Sequence, residues 1–392
     1  MMRILMLVSG LDIGGAHGGA ERFGVELSRH LDQQTCQVTL CAFWQRRSKT
    51  ENYWIEELTR TDIPLFFASQ WPGRFRFGDY WSGVKKLVTM YRSHPLDIVH
   101  SHYQMGTFAG ILLKILGCTK HVIRTAHVSK EWGFGFASWL CRQIFTNWLY
   151  PILLDAEVGV SRSIVQALGS HPGSFLFRKK PHLIHNAIYP QAFEETDALV
   201  TNHDVHLPKD CFLIGSIGRL TNQKGYRYLI AAIPEVLEEV PNAYFILIGE
   251  GENRASLEQQ AHKLGINEHL AFIGQRERVL PLLRRMNVFV LPSIYEGFPT
   301  VILESIACGV PVIATDIPGT DELIKNGENG WLVPPKDHRA LAKAIIESYQ
   351  KPDLRRKFIE NASQILKRYR IENIAEKYLS LYQTISDKQS PR

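Results

Sequence analysis

Apolar and polar positions alternate in blocks along this chain. Ile4–Ser9 is an apolar run. A Gly-rich loop, Gly14-Gly15-Ala16-His17-Gly18-Gly19, follows it, and then Ala20, Phe23, Leu27 and Leu31 recur at helical spacing. Further apolar runs, expected as buried strands with polar ends, are Gln37–Phe43, Asp97–His102, Lys120–Ala126, Leu154–Ser161 and His182–Asn186. Strand alternating with helix predicts a parallel sheet covered on both faces. The alternation restarts after residue 190. Strands are expected at Phe212–Gly218, Tyr244–Gly249, Leu270–Ile273, Asn287–Leu291 and Pro311–Thr315. Tyr228, Leu229, Ala232, Ile233, Val236, Leu237 and Val240 mark a helix that Pro234 should kink. Asp337 to Gln383 reads as helical, and Thr384–Arg392 as a frayed end.

The pattern is α/β, with two Rossmann-like doubly wound domains in tandem. The 392 residues exceed what one ordinary core organises, which agrees. Expected boundaries are 1–190 for the first domain, 191–207 for a polar linker, 208–370 for the second domain and 371–392 for a terminal segment. Ligands in such sheets bind beyond the carboxyl ends of the strands, so two domains would present two sets of strand ends to one cleft.

Composition narrows the class. With 45% hydrophobic and 21% charged residues the chain is globular rather than disordered or collagen-like. The longest apolar stretch, Phe108 to Cys118, is broken by Lys114 and too short to span a bilayer. The N-terminus is expected to be a first strand, with no small-residue cleavage site after it. The six cysteines are scattered and form no C-x-x-C, so the expectation is a reducing cytosol. The net charge of +6 hides an asymmetry: residues 1–190 carry 21 Lys+Arg against 13 Asp+Glu, or +8, and the rest 24 against 26, or −2. Such a first half suits an anionic partner, or else is a solvated surface of mixed charge.

Three loops carry candidate chemistry. In Ser293-Ile-Tyr-Glu296-Gly297-Phe298-Pro299-Thr300-Val301, Pro299 suits a first helical turn, and the amides of Thr300 and Val301 then point out of the helix as an anion site. Glu304 follows one turn later among Ile302, Leu303 and Ile306, where a carboxylate needs a partner: ribose hydroxyls, or a Lys or Arg elsewhere. Glu296 can take sugar hydroxyls in the same way. The second loop, Gly218-Arg219-Leu-Thr-Asn-Gln-Lys224-Gly225, offers a close backbone and two cations for one diphosphate, or is a solvated turn. In the third, Gly18 and Gly19 can bring amides to a phosphate, although neither G-x-G-x-x-G nor a Walker A sequence occurs. His127, just past a buried strand, can donate to a sugar hydroxyl. His100 and His102 end another strand and rank lower, and no metal-ligand cluster stands out.

Together these residues resemble the retaining glycosyltransferases of family 4. Glu296 and Glu304, seven residues between them, with Gly297-Phe298-Pro299, resemble that family's hallmark. Gly218-Arg219, Lys224-Gly225, Ile248-Gly249-Glu250-Gly251, Phe272-Ile-Gly274 and Asn329-Gly330-Trp-Leu-Val resemble its second domain. Gly18-Gly19-Ala20-Glu21, Asp97-Ile-Val-His100-Ser-His102, Val160-Ser161 and Ile184-His-Asn186 resemble its first. The resemblance implies a GT-B fold whose last helix crosses back to the first domain, and a nucleoside-diphosphate sugar donor of UDP or GDP type. It implies no metal and no other cofactor. Arg219 and Lys224 would hold the diphosphate and Glu304 the ribose. Glu296 and His127 would face the sugar, and the base would lie near Gly249, Gln275 and Arg276. Where the family often has a second Gly and then Glu after Gly319, this chain has Thr320-Asp321-Glu322.

The acceptor implied is a lipid-linked or envelope saccharide at the inner face of the cytoplasmic membrane, with no nucleic acid as partner. Arg74, Arg76, Lys85, Lys86 and Arg92 among Trp71, Phe75, Phe77, Tyr80 and Trp81 are expected to touch anionic lipid, unless these aromatics fill the core. The run Trp132, Phe134, Phe136, Trp139, Phe145, Trp148, Tyr150 is a weaker membrane candidate, with a core-packing helix as its alternative. Two further readings are a soluble enzyme of sucrose- or trehalose-synthase or epimerase type, and a non-catalytic nucleotide-sugar-binding protein.

Overall fold

The computed structural model describes residues 1–13, 18–128, 139–140, 142–189, 207–276 and 278–387. Contacts divide it into two units. The first takes Met1–Ile13, Gly18–Ala187 and the C-terminal segment from Ile371; the second runs from Ile188 to Arg370. The expected linker at 191–207 lies outside the described residues except for Leu207.

In the first unit the order is β1 (Met2–Val8), α1 (Gly19–His30), β2 (Cys36–Gln45), α2 (Lys49–Thr59), β3 (Leu65–Gln70), α3 (Phe77–Tyr91), β4 (Leu96–Ser101), α4 (Gln104–Ile115) and β5 (Thr119–Ala126). A π-helical segment (Arg142–Leu149), β6 (Ala156–Gly159), α5 (Arg162–Gly169), α6 (Pro172–Leu176) and β7 (His182–Leu183) complete it. Its seven strands are all parallel, in the order β3-β2-β1-β4-β5-β6-β7.

The second unit runs β8 (Phe212–Ile217), α7 (Tyr226–Glu239), β9 (Ala243–Ile248), α8 (Arg254–Lys263), β10 (Leu270–Gly274), β11 (Val288–Leu291), α9 (Thr300–Ala307), β12 (Val312–Thr315), β13 (Trp331–Val333), α10 (His338–Gln350) and α11 (Pro352–Leu366). Its six strands are again parallel, ordered β10-β9-β8-β11-β12-β13. Helix α12 (Ile371–Asp387) then returns to the first unit, where Tyr378 and Tyr382 are fully buried.

Parallel strands covered on both faces must be apolar throughout, and β8 and β11 are buried at every residue. The strands that periodicity did not predict, β3 and β13, are sheet edges. β3 is mostly half-buried and β13 is three residues long, so neither carries a strong apolar run. Helix α7 continues through Pro234 to Glu239. The chain's strand order reverses beside β1 and β4 in the first unit, and beside β8 and β11 in the second. Those are the places where an open α/β sheet leaves a crevice for ligand.

Helix α3 corrects part of the expected membrane segment. Its Tyr80 is fully buried against Phe43, and Trp71 packs edge-on against Trp44. Lys86 donates to the Phe67 carbonyl at 2.6 Å. Phe75, Phe77 and Trp81 remain exposed. Of the second aromatic run, Trp132, Phe134 and Phe136 lie outside the described residues, Trp139 and Trp148 are exposed, and Tyr150 is buried. No helix among the described residues is long and apolar enough to cross a membrane.

Candidate active site

The second unit's reversal point gathers the two loops that the sequence singled out. After β8 the chain passes Gly218 and Arg219, makes one tight turn over Asn222–Lys224, and enters α7. Gly225 makes that entry with φ 66°, and a Cβ there would lie 2.0 Å from the Pro292 carbonyl oxygen, so only glycine fits. The contact zips this loop to the one after β11. Ile294 donates its amide to the Gln223 carbonyl at 2.7 Å, and Gln223 Nε2 donates to the Tyr295 carbonyl at 3.0 Å.

Lys224 is thereby delivered to Glu296. Its Nζ stands 2.6 Å from Glu296 Oε1, and Ser293 Oγ donates to the same oxygen at 2.6 Å. Both charged side chains are largely buried, so the pair is poorly screened by solvent. Ser293 is itself buried, and its carbonyl accepts from Thr315 Oγ1 at 2.5 Å. Arg219 is exposed, and its side chain has no hydrogen bond or ion pair among the described residues. One cation is thus fixed and another left to reach a ligand.

Pro299 caps α9 instead of occupying its first turn; its carbonyl accepts the Ile302 amide at 3.1 Å. The amides of Thr300 and Val301 have no backbone acceptor, as a helix start requires. Glu304 sits half-buried on the same helix. Gly297 contributes backbone only, and the Phe298 ring is buried against Tyr369, 5.5 Å between centroids. The divergent Thr320 is fully buried: its hydroxyl reaches the carbonyls of Thr315 and Ile317, while Asp321 accepts the Gly319 amide. Gly218 ends β8 with its amide on the Ile248 carbonyl, and Gly249 donates to Gly274 at 2.9 Å. Gln275 is exposed and Arg276 half-buried nearby in sequence.

The first unit's reversal point has different chemistry. Ser9, after β1, donates to Glu21 of α1 at 2.5 Å. Gly18 precedes α1 with its carbonyl bonded to the Arg22 amide, and Gly19 begins the helix; Gly14 to His17 lie outside the described residues. His102, after β4, meets His127, after β5, with Nδ1 of the former 3.2 Å from Nε2 of the latter. Burial pushes His127 down to about 4, opposed by the nearby Asn186 side chain. His100 bonds Tyr382 at 2.7 Å and Thr125 at 2.8 Å, and Thr125 bonds Tyr378 at 2.9 Å. The partners Met6, whose Sδ lies 3.0 Å from His102 Nε2, Tyr378 and Tyr382 were not singled out from sequence, because their roles arise only from strand register and helix return. Among the described residues no cluster of three or more metal-ligating side chains occurs.

Two family models account for these two halves. Residues 17–192 match Glycosyltransferase Family 4, and residues 201–365 match Glycosyl transferases group 1. The chain belongs to this glycosyltransferase family. The enzyme is 29% identical over 299 residues to the uncharacterized glycosyltransferase MJ1607 of Methanocaldococcus jannaschii, covering 73% of this chain and 75% of that one. It is 26% identical to an Escherichia coli UDP-Gal:alpha-D-GlcNAc-diphosphoundecaprenol alpha-1,3-galactosyltransferase, covering 67% and 70%. Its fold is that of Anabaena Alr3699/HepE, solved in complex with UDP-glucose, with a TM-score of 0.78 at 21% identity, covering 98% of this chain and all of that one. The glycosyltransferase therefore has the expected GT-B fold.

Proposed function

We propose that this glycosyltransferase moves a sugar, with retention of anomeric configuration, from a UDP- or GDP-sugar to a lipid-linked or envelope saccharide. The carrying observation is the fixed Lys224 beside the unpartnered Arg219 at the β8–β11 reversal point, with the α9 amides close in sequence to Glu296. These groups match the negative charge that builds on a departing diphosphate. They supply that charge complement without a metal. Glu296 already accepts from Lys224 and Ser293, which fits a role in orienting groups better than one as nucleophile. Arg219 and Lys224 take the diphosphate in this reading, Glu304 the ribose, Gly249, Gln275 and Arg276 the base, and Glu296 and His127 the sugar.

The acceptor assignment draws on the E. coli relative, named for an undecaprenol-linked substrate, and on the first half's charge of +8. A membrane contact is favoured by the exposed Phe175, Leu176 and Phe177, which Arg178, Lys179 and Lys180 follow directly. Helix α6 lies against Asn147 and Pro151, close in sequence to the exposed Trp148 and Ile152. This surface combines apolar side chains with cations, as a peripheral protein on an anionic leaflet requires.

Release of UDP or GDP from their sugars, measured with and without undecaprenyl-diphosphate saccharides in anionic vesicles, tests the reading. Release stimulated by the lipid acceptor supports it. Equal release with a soluble sugar or sugar phosphate favours the sucrose-synthase type of reaction, and binding without turnover favours a non-catalytic role.

A further inference from the structure

Two loops of the first unit lie beside its reversal point and carry other chemistry. Residues 46–48 follow β2 and residues 71–76 follow β3, both at carboxyl ends of the parallel sheet. The Trp71 amide donates to the Gln45 carbonyl at 2.9 Å and ties one loop to the other. β3 stands two strands from β1, a step of about 10 Å.

The arginine of the first loop rests on the tryptophan of the second. The Arg46 guanidinium carbon lies 5.3 Å from the Trp71 ring centroid. Trp71 in turn packs edge-on against Trp44, 5.2 Å between centroids. Gly10 leaves room for this stack: a Cβ there would lie 3.1 Å from the Trp44 carbonyl oxygen and 3.8 Å from Arg46 Nε. The loop itself is pinned. The fully buried Glu51 accepts the amides of Arg46 and Arg47, and Arg47 takes φ 59°, where a long side chain is uncommon. A guanidinium held in one orientation is a fork for an oxyanion. Asp12 Oδ2 is 3.9 Å from it, but both side chains are exposed, so solvent screens that pair.

Beyond the fork, cations and aromatic rings alternate. Arg74, Phe75, Arg76 and Phe77 are all exposed, and residues 63–78 hold no carboxylate. Phe75 packs edge-on against Trp44, and Phe77 against the exposed Trp81. Trp81 meets Phe108, and Phe108 meets Phe145 of the π-helical segment that carries the exposed Trp148. An apolar track thus leads from the fork toward the face around Trp148.

We propose that Arg46, stacked on Trp71, binds the diphosphate of a polyprenyl-linked acceptor, with the first isoprene units along Phe75, Phe77 and Trp81. The saccharide beyond the diphosphate then extends toward the reversal point between β1 and β4. The fork needs an oxyanion and the track needs an apolar chain, so neither inorganic pyrophosphate nor a neutral lipid satisfies both. This subsite rests on the lipid-linked acceptor of the reading above, and names the residues that select it.

Farnesyl diphosphate, a soluble polyprenyl diphosphate, tests it with the full-length protein labelled at the tryptophan indole nitrogens. The Trp71 signal is identified by its loss in Trp71→Phe. Farnesyl diphosphate should shift that signal, and Arg46→Gln should weaken its binding about tenfold, because charge-assisted hydrogen bonds are lost. This variant keeps the backbone amide that Glu51 holds, so the loop keeps its anchor. Phe75→Ser, at a side chain already 48% exposed, should weaken farnesyl diphosphate and leave pyrophosphate unchanged. A Trp71 signal that farnesyl diphosphate leaves unmoved, or equal affinity in Arg46→Gln, overturns the subsite. An equal shift with phosphatidylglycerol vesicles also overturns it, in favour of a general membrane surface. None of these measurements needs a donor. A Trp71 shift in a protein that releases no UDP or GDP therefore supports the subsite and sinks the transfer reading, whereas lipid-stimulated release with Trp71 unmoved sinks the subsite alone.

Discussion

The two units share one topology and place their chemistry at the same point of it, yet they fill that point in opposite ways. The second unit holds formal charge there: Lys224, Glu296 and, on the same loop as Lys224, the exposed Arg219. The first holds neutral rings and hydroxyls: His100, His102, His127, Thr125, Tyr378 and Tyr382. A charged crevice suits a ligand whose charge changes during reaction. A neutral one suits a ligand that must be oriented. The shared fold therefore says where to look, and the side chains say what is handled.

Acid should break the comparison most strongly. Unfolded histidines protonate near pH 6.5, whereas burial holds His127 to about 4 and His100 to about 3. Between those values the unfolded state binds more protons, so stability falls as pH drops through the window. Each ring contributes about 1.4 kcal/mol per pH unit. Urea midpoints measured from pH 7 to pH 4.5 should decline steeply below 6.5, and a flat profile would contradict the neutral network.

On the charged side, if the proposed leaving-group role holds, Arg219→Ala and Lys224→Ala should each lower turnover by about 100-fold. Turnover near that of the wild type in either variant removes the diphosphate assignment. On the neutral side, Tyr382→Phe strips His100 Nδ1 of its partner and should cost about 1–3 kcal/mol of stability, read from denaturant unfolding. Glu296→Gln sharpens the contrast further. It releases Lys224 and removes a negative charge, so the nucleoside diphosphate should bind roughly tenfold tighter by calorimetry. Weaker binding would mean that Glu296 positions Lys224 rather than competing with the phosphates. The smallest effect expected is that of EDTA, which should leave turnover unchanged; strict dependence on Mg²⁺ would require a different account of the charge.

Both sheets were legible in the sequence because fully buried strands write continuous apolar runs, and β8 and β11 are such strands. β3 and β13 were missed because an edge needs less burial. The two candidate loops of the second unit stood out because their residues are close in sequence: Gly218 to Gly225, and Ser293 to Glu304. The pairing of Lys224 with Glu296 was not, since it depends on Gly225 bringing one loop against Pro292. The histidine network was the least visible. It joins Met6 to His102 and His100 to Tyr382, residues 96 and 282 positions apart, and no local pattern encodes such contacts.

The return of α12 has a consequence for how the protein is made. Tyr378 and Tyr382 reach Thr125 and His100 from the far end of the chain, and Ser386 Oγ lies 3.6 Å from Met2 Sδ. On the ribosome the seven-stranded sheet emerges long before this helix. Until α12 has been made, His100 and Thr125 lack the hydroxyls of Tyr382 and Tyr378. The second unit, whose strands and covering helices lie between Ile188 and Arg370, meets no such delay. The first unit is thus sealed only after the second has been made, and a truncation before Tyr378 would spare the second unit while leaving the first without these contacts.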